Sequence, residues 1–163
     1  IAWSIGGSYF QKKLSEKQII TVCNNVSIPI VLLGGINEKK IGNQIIKSSN
    51  HKSILNFCGR LSLDQSAYLI KNSSLVLSND TGLMHIAACF KKIIISFWGC
   101  TKPVFGFYPY MSNEQSVQII SNPTLNPCSK HGNFCKLQKE GCIKQINPEL
   151  ILEEINKILL KDQ

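Results

Sequence analysis

The chain has 163 residues, of which 44% are hydrophobic and 17% are charged. This length predicts one domain, and this composition excludes an intrinsically disordered chain. A net charge of +8 indicates an anionic partner, without choosing among phosphate ligands, nucleic acid and anionic lipid. The apolar runs are too short to cross a bilayer and no stretch is typical of a secretory signal, so we expect a cytoplasmic protein.

Strand-like and helix-like segments alternate along the chain. Six apolar runs are predicted as strands: 1–5, 28–33, 54–57, 75–78, 93–98 and 117–120. Five segments are predicted as helices: 15–26, 37–49, 62–72, 83–90 and 149–160. Strands that alternate with helices of this length form parallel sheets with right-handed crossovers. We therefore predict an α/β fold with a Rossmann-like, doubly wound parallel sheet.

The helix starts carry local signals. Ser15 with Gln18 and Ser62 with Gln65 have the spacing of capping boxes, and Asn37 is predicted to cap the second helix. Each helix is thereby placed directly after a strand-exit turn.

The turns that follow the strands are where such a sheet binds ligands. Five turns qualify: 6–13, 34–39, 59–63, 79–82 and 99–102. None carries a Gly-x-Gly-x-x-Gly or Walker-type lysine loop, which argues against a dinucleotide oxidoreductase or an ATPase. No two acidic residues lie close together in one of these turns. We therefore expect phosphate chemistry with protein donors and no metal.

The turn after the fourth predicted strand is best suited to an anion. Gly82 allows close approach of the main chain, and the helix-start N–H groups with the Thr81 hydroxyl form an anion site. His85 lies one turn further along the same helix. Asp80 either caps that helix or accepts hydrogen bonds from sugar hydroxyls. The structural alternative is a capping Asp80 with a packed core histidine.

Two other turns supply further candidates. Ser8 and Lys12 suit a diphosphate whose negative charge grows as it leaves, although Lys12 alternatively belongs to a solvated basic face. Glu38 suits ribose hydroxyls, and alternatively it compensates a helix dipole.

Seven cysteines in a chain without an export signal are expected to be reduced. Three lie in apolar segments and are predicted as core residues: Cys23, Cys58 and Cys89. A late loop offers four potential zinc ligands: Cys128, His131, Cys135 and Cys142. Their spacing matches no common zinc motif, and free thiols or one disulfide are the alternatives.

Several of these segments together resemble the lipopolysaccharide heptosyltransferases, glycosyltransferase family 9. The most specific is 78–88, where Asp80-Thr81-Gly82 is followed by His85. Four segments support it in family order: Gly6-Gly7-Ser8 with Lys12, Leu33-Gly34-Gly35 with Glu38, Cys58–Leu63 and Trp98–Pro103. The resemblance covers about residues 1–103.

This resemblance implies the GT-B architecture, in which two Rossmann-like domains face each other across a cleft. Residues 1–163 are similar to the C-terminal, donor-binding domain. The chain opens in an apolar segment without an initiator Met. We therefore expect a fragment of a longer protein, whose N-terminal domain would supply the catalytic base.

Residue roles follow from the resemblance by position. Ser8 and Lys12 would hold the diphosphate, with Lys12 as the catalytic residue, and Glu38 would hold the ribose. The donor sugar would contact Asp80, and the phosphate region would contact Thr81, Gly82 and His85. The named members use ADP-heptose; another sugar or nucleotide stays open for this chain.

The predicted reaction is an inverting glycosyl transfer that needs no metal and no cofactor. The partners would be a nucleotide-sugar donor, a lipid-linked or soluble saccharide acceptor such as the lipopolysaccharide core, and the protein's own N-terminal domain. If the acceptor is lipid-linked, the alternative location is the inner face of the inner membrane, with the protein bound peripherally. The isolated chain is expected to be inactive.

The alternative function is a non-catalytic nucleotide-binding module. Nucleic-acid binding is not expected, because no stripe of basic residues alternates with exposed aromatic side chains.

Overall fold

Six parallel strands form a single sheet in the computed structural model, which describes residues 1–161. The strands are β1 (Ala2–Ser4), β2 (Ile30–Leu33), β3 (Ile54–Asn56), β4 (Val76–Asn79), β5 (Ile94–Trp98) and β6 (Val117–Ile120). Their order is β3-β2-β1-β4-β5-β6, and every neighbouring pair is parallel. This order is that of doubly wound nucleotide-binding sheets, which confirms the predicted fold class.

Five helices cover the two faces of the sheet. They are α1 (Glu16–Asn24), α2 (Lys39–Ser48), α3 (Leu63–Lys71), α4 (Gly82–Cys89) and α5 (Pro148–Lys161). On one face α1 packs against α2 and α5, and on the other α3 packs against α4. Because side chains alternate along a strand, Trp3 joins the first core and Ala2 joins the second. Among residues 1–161, no helix combines the length and the apolar character that spanning a bilayer requires.

Both predicted capping boxes are present. The Ser15 hydroxyl accepts the Gln18 N–H at 3.3 Å, and Gln18 Oε1 accepts the Ser15 N–H at 2.8 Å. Ser62 and Gln65 make the same pair of bonds at the start of α3.

The predicted cap of α2 is wrong. A short 3₁₀ turn, Ile36–Glu38, precedes the helix, and α2 begins at Lys39 rather than after Asn37. Glu38 closes this turn by accepting the Gly35 N–H at 3.0 Å. A helix capped by Asn37 would begin at Glu38, so α2 begins one residue later than predicted.

Two of the three cysteines predicted in the core are there. Cys23 and Cys58 are fully buried, whereas Cys89 is exposed. Cys89 is the last residue of α4, and its apolar neighbourhood in sequence does not bury it.

Candidate functional site

A cavity of about 530 Å³ lies at the carboxyl ends of β1, β2 and β4. The strand order reverses between β1 and β4, so the cavity occupies the switch point of the sheet. Four of the five predicted turns line it, with α3 and α4 at its edge: Gly6–Ser8, Gly34, Gly35, Glu38, Leu61, Leu63, Ser66, Thr81–Leu83 and Ile86. Its volume suits a small-molecule ligand.

The amino end of α4 opens on this cavity. Thr81 caps the helix, since its Oγ1 accepts the Met84 N–H at 3.4 Å. The N–H groups of Gly82 and Leu83 belong to the first helical turn, which has no intrahelical acceptor for them. A Cβ atom placed on Gly82 would meet no other atom within 4 Å. The helix start is therefore unobstructed and can receive an anion.

Hydroxyl groups from two strands hold Thr81 in place. Ser4 Oγ and Ser78 Oγ each lie 3.2 Å from Thr81 Oγ1. Ser78 donates its proton to the Asn79 carbonyl at 2.7 Å, so Thr81 donates to Ser78 and accepts from Ser4. The Thr81 side chain is thus engaged as a helix cap.

Lys12 and Asp80 form an ion pair beside the α4 turn. Their side chains are only 10% and 11% exposed, although they come from loops at the ends of different strands. The structure therefore brings together the lysine and the carboxylate that the sequence singled out separately. Lys12 does not lie on a solvated basic face, and Asp80 does not cap the helix.

A second ion pair lies beneath the glycine turns. Glu38 is 7% exposed, and its carboxylate accepts from Lys13 Nζ at 2.7 Å and from the Gly35 N–H at 3.0 Å. A Cβ atom on Gly6 would lie 3.4 Å from Glu38 Oε2, which shows how closely the two loops approach. Burial and, after it, the Glu38 charge raise the pKa of the neighbouring Cys58 thiol to about 12. Cys58 is therefore a neutral thiol next to the site.

The remaining predicted residues differ in position. Ser8 is exposed at the edge of the cavity, and His85 is exposed on α4 without lining it. The alternative of a packed core histidine is thereby excluded for His85.

Two residues of the site escaped the sequence analysis, Ser4 and Asn79, and the partner of Lys13 was not identified there. Asn79 is 1% exposed, and its amide donates to the carbonyls of Ile5 and Gly6 at 3.2 and 2.9 Å. It thereby ties the first loop to the end of β4. A sequence signal existed for Lys13, which follows Lys12 directly, but its partner could not be identified without the strand order.

Four cysteines meet outside the cavity. The sulfur atoms of Cys100, Cys128, Cys135 and Cys142 all lie within 4.8 Å of one another. His131 is not among them; its ring lies 6.0 Å from that of Phe107. The predicted set of zinc ligands is therefore corrected, with Cys100 in place of His131. The end of β5 brings Cys100 to the loop, and the Cys128 N–H donates to the Cys100 carbonyl at 2.8 Å.

Comparison with known proteins agrees with this architecture. The family model of glycosyltransferase family 9 (heptosyltransferase) matches residues 12–139. The chain is 29% identical over 160 residues to lipooligosaccharide heptosyltransferase 2 of Haemophilus influenzae, covering 94% of this chain and 42% of that protein. It is 28% identical over 137 residues to lipopolysaccharide heptosyltransferase 2 of Escherichia coli K12, covering 82% of this chain and 38% of that protein.

A solved structure shows the same fold. The ADP-heptose lipopolysaccharide heptosyltransferase II of E. coli is similar with a TM-score of 0.79 at 23% identity, over 99% of this chain and 46% of that one. The chain thus spans about 40% of the length of the curated relatives it matches. The family model matches most of the chain, and the chain forms a sheet with a cavity at its switch point. The chain belongs to glycosyltransferase family 9, the heptosyltransferases.

Proposed function

We propose that this chain is the donor-binding domain of an inverting glycosyltransferase. The enzyme would move a heptose, or a related sugar, from a nucleoside diphosphate to the lipopolysaccharide core or another surface glycan. The unobstructed start of α4, opening on a cavity of nucleotide size, is the observation that carries this proposal. ADP-heptose is the proposed donor, because a solved relative of the same fold is an ADP-heptose heptosyltransferase.

The donor would lie across the switch point of the sheet. Its diphosphate would accept hydrogen bonds from the first N–H groups of α4, beside Ser8 and Lys12. Glu38 lines the cavity and keeps lone pairs for the ribose hydroxyls beyond those used by Lys13 and Gly35. The carboxylate of Asp80 would accept from hydroxyls of the donor sugar.

Transfer would proceed by stabilising the leaving diphosphate. The bond from the anomeric carbon to the phosphate oxygen breaks as the acceptor hydroxyl attacks from the opposite face, and the diphosphate gains negative charge. The α4 N–H groups and Lys12 would face that charge, with His85 one turn further along the helix. We propose transfer without a metal at the donor phosphates, because Asp80 and Glu38, the carboxylates near them, are each paired with a lysine.

The complete protein would need a second Rossmann-like domain. It would close the cleft over the donor, bind the acceptor and supply the base that removes the acceptor proton. This chain's 42% share of a curated relative's length supports that arrangement. We place the enzyme in the cytoplasm, with peripheral contact to the inner membrane where its acceptor is lipid-linked.

The test is Lys12→Ala in the full-length protein, with Lys47→Ala, an exposed lysine on α2, as the matched control. We expect Lys12→Ala to lower kcat/KM for ADP-heptose by about 10²–10³-fold, the usual effect of losing one preorganised donor, and Lys47→Ala to leave it unchanged. Equal kcat/KM in both variants would refute the site. Nucleotide binding without transfer by the wild type would instead indicate a non-catalytic module.

A further inference from the structure

The four-cysteine cluster, which the proposed function does not use, has the dimensions of a metal site. Cys100 Sγ lies 3.7 Å from Cys142 Sγ, and Cys128 Sγ lies 3.8 Å from Cys135 Sγ. Zinc–sulfur bonds of about 2.3 Å in tetrahedral geometry place the sulfur atoms about 3.8 Å apart. A disulfide would bring two of them to about 2.05 Å. All seven cysteines of the described chain are free thiols. The two sulfur–sulfur distances therefore fit an ion shared by the four thiols better than a disulfide.

The cluster is enclosed, as a structural metal site requires. Cys100, Cys128 and Cys142 are at most 7% exposed, and Cys135 is partly exposed. The fold holds the surrounding chain independently of the thiols. The Ser121 hydroxyl donates to the Cys142 carbonyl at 2.6 Å, and the Thr101 hydroxyl donates to the Lys130 carbonyl at 2.8 Å.

We propose that Cys100, Cys128, Cys135 and Cys142 bind one thiophilic divalent metal ion, Zn²⁺, through four thiolates. Tetrahedral sulfur-only sites select zinc or iron over hard cations such as Mg²⁺ and Ca²⁺. Four protein ligands leave no open position, so the ion would be structural rather than catalytic. Binding would release the protons of the four thiols, and affinity would therefore fall as the pH is lowered.

The loop closed by this ion packs directly against the candidate donor site. A Cβ atom on Gly132, which lies between Cys128 and Cys135, would be 2.7 Å from Cγ of Lys12. A Cβ atom on Gly141 would be 2.6 Å from the carbonyl oxygen of Gln11. The ion would therefore support the side chain that pairs with Asp80. This consequence for catalysis rests on the proposed function, whereas the metal site itself does not.

The first experiment needs no substitution. Full-length protein purified without chelators is analysed for metals, and the reduced apoprotein is titrated with Zn²⁺ and with Co²⁺. We expect about one equivalent of zinc, and cobalt absorption typical of a tetrahedral thiolate site. One equivalent of iron would support the same four ligands and replace zinc as their ion. Less than a tenth of an equivalent with no uptake of Zn²⁺, or two disulfides found by mass spectrometry, would overturn the proposal.

Three variants identify the ligands. Cys100→Ser should lose the metal, whereas Cys89→Ser, an exposed cysteine outside the cluster, and His131→Ala should each retain one equivalent. Retention by Cys100→Ser together with loss by His131→Ala would contradict the assignment of Cys100. If Cys100→Ser fails to fold, the titration of the wild type decides whether the site binds a metal.

The link to the donor site has a separate readout. We expect removal of the metal from the wild type to weaken ADP-heptose binding at least tenfold, and readdition of Zn²⁺ to restore it. A metal-binding protein that fails to bind any nucleotide sugar would leave the metal site standing and refute the proposed function. Unchanged donor affinity in the apoprotein would refute only the support of Lys12.

Discussion

Two lysines that are adjacent in sequence neutralise two carboxylates from different loops. Lys12 pairs with Asp80 and Lys13 pairs with Glu38, and of these four residues only Glu38 lines the cavity. Lys12 and both acidic residues could be singled out from the sequence as charged groups in strand-exit turns. Their pairing could not, because it depends on β1 lying between β2 and β4.

A double-mutant cycle separates the two roles of Lys12. Lys12→Ala leaves the nearly buried Asp80 without its partner, and we expect it to lower the free energy of unfolding by about 1–3 kcal/mol. Adding Asp80→Asn removes the uncompensated charge and should restore most of that stability. If both residues contact the donor, kcat/KM of the double variant stays as low as that of Lys12→Ala. Denaturant unfolding and steady-state kinetics measure the two effects. Recovery of activity along with stability would show that Lys12 serves only to neutralise Asp80.

At the scale of elements, local signals were reliable where the capping side chain and its partner lie within one turn. The boxes at Ser15 and Ser62 are therefore present as predicted. The prediction at Asn37 was wrong because Glu38 accepts from the Gly35 N–H of the preceding turn and from Lys13 Nζ at the same time. At Glu38 the bonds to Gly35 and Lys13 thus replace the cap that the local pattern predicted at Asn37.

Helix α4 offers a test in which stability and binding change in opposite directions. We expect Gly82→Ala to keep or raise the free energy of unfolding, by up to about 1 kcal/mol, because the new methyl group meets no atom within 4 Å and alanine restricts the unfolded chain. The methyl group would nevertheless occupy space in front of the helix N–H groups, so we expect donor affinity to fall. Calorimetric titration with ADP-heptose and denaturant unfolding measure the two effects.

Gly42→Ala is the matched control on α2. Its Cβ atom would lie 2.4 Å from Oδ1 of Asn56, a clash in the buried helix–strand contact. We expect lower stability with little change in donor affinity, the reverse pattern. Unchanged donor affinity in Gly82→Ala would refute the anion site at α4.

For the whole molecule, the alternation of strand-like and helix-like segments was enough to predict a parallel sheet. The absence of a Gly-x-Gly-x-x-Gly motif and of a Walker-type lysine loop argued against an oxidoreductase and an ATPase. Strand order was not predictable, because a crossover of similar length can place the next strand on either side. The cysteine cluster shows the same limit. Cys128, Cys135 and Cys142 are close in sequence, but Cys100 joins them only because β5 ends beside their loop.

The chain's net charge of +8 could attract a nucleic acid as well as a nucleotide sugar. The complete protein can be used to compare the two classes of ligand. We expect ADP-heptose at about one hundred times its Kd to raise the free energy of unfolding of the domain that contains this chain by about 2.7 kcal/mol. A single-stranded oligonucleotide at matched concentration should not do so, because the cavity rather than the overall charge selects the ligand. Denaturant unfolding with each ligand compares the two. Stronger stabilisation by the oligonucleotide would contradict the predicted partner.

The buried amide of Asn79 links two walls of the cavity. It donates to consecutive carbonyls of the first loop from the end of β4, at a position 1% exposed. The distance between that loop and the α4 turn is consequently fixed by a buried, hydrogen-bonded side chain. A ligand with a bulkier group would therefore have to extend past this gap, toward the α3 residues that also line the cavity, Leu63 and Ser66.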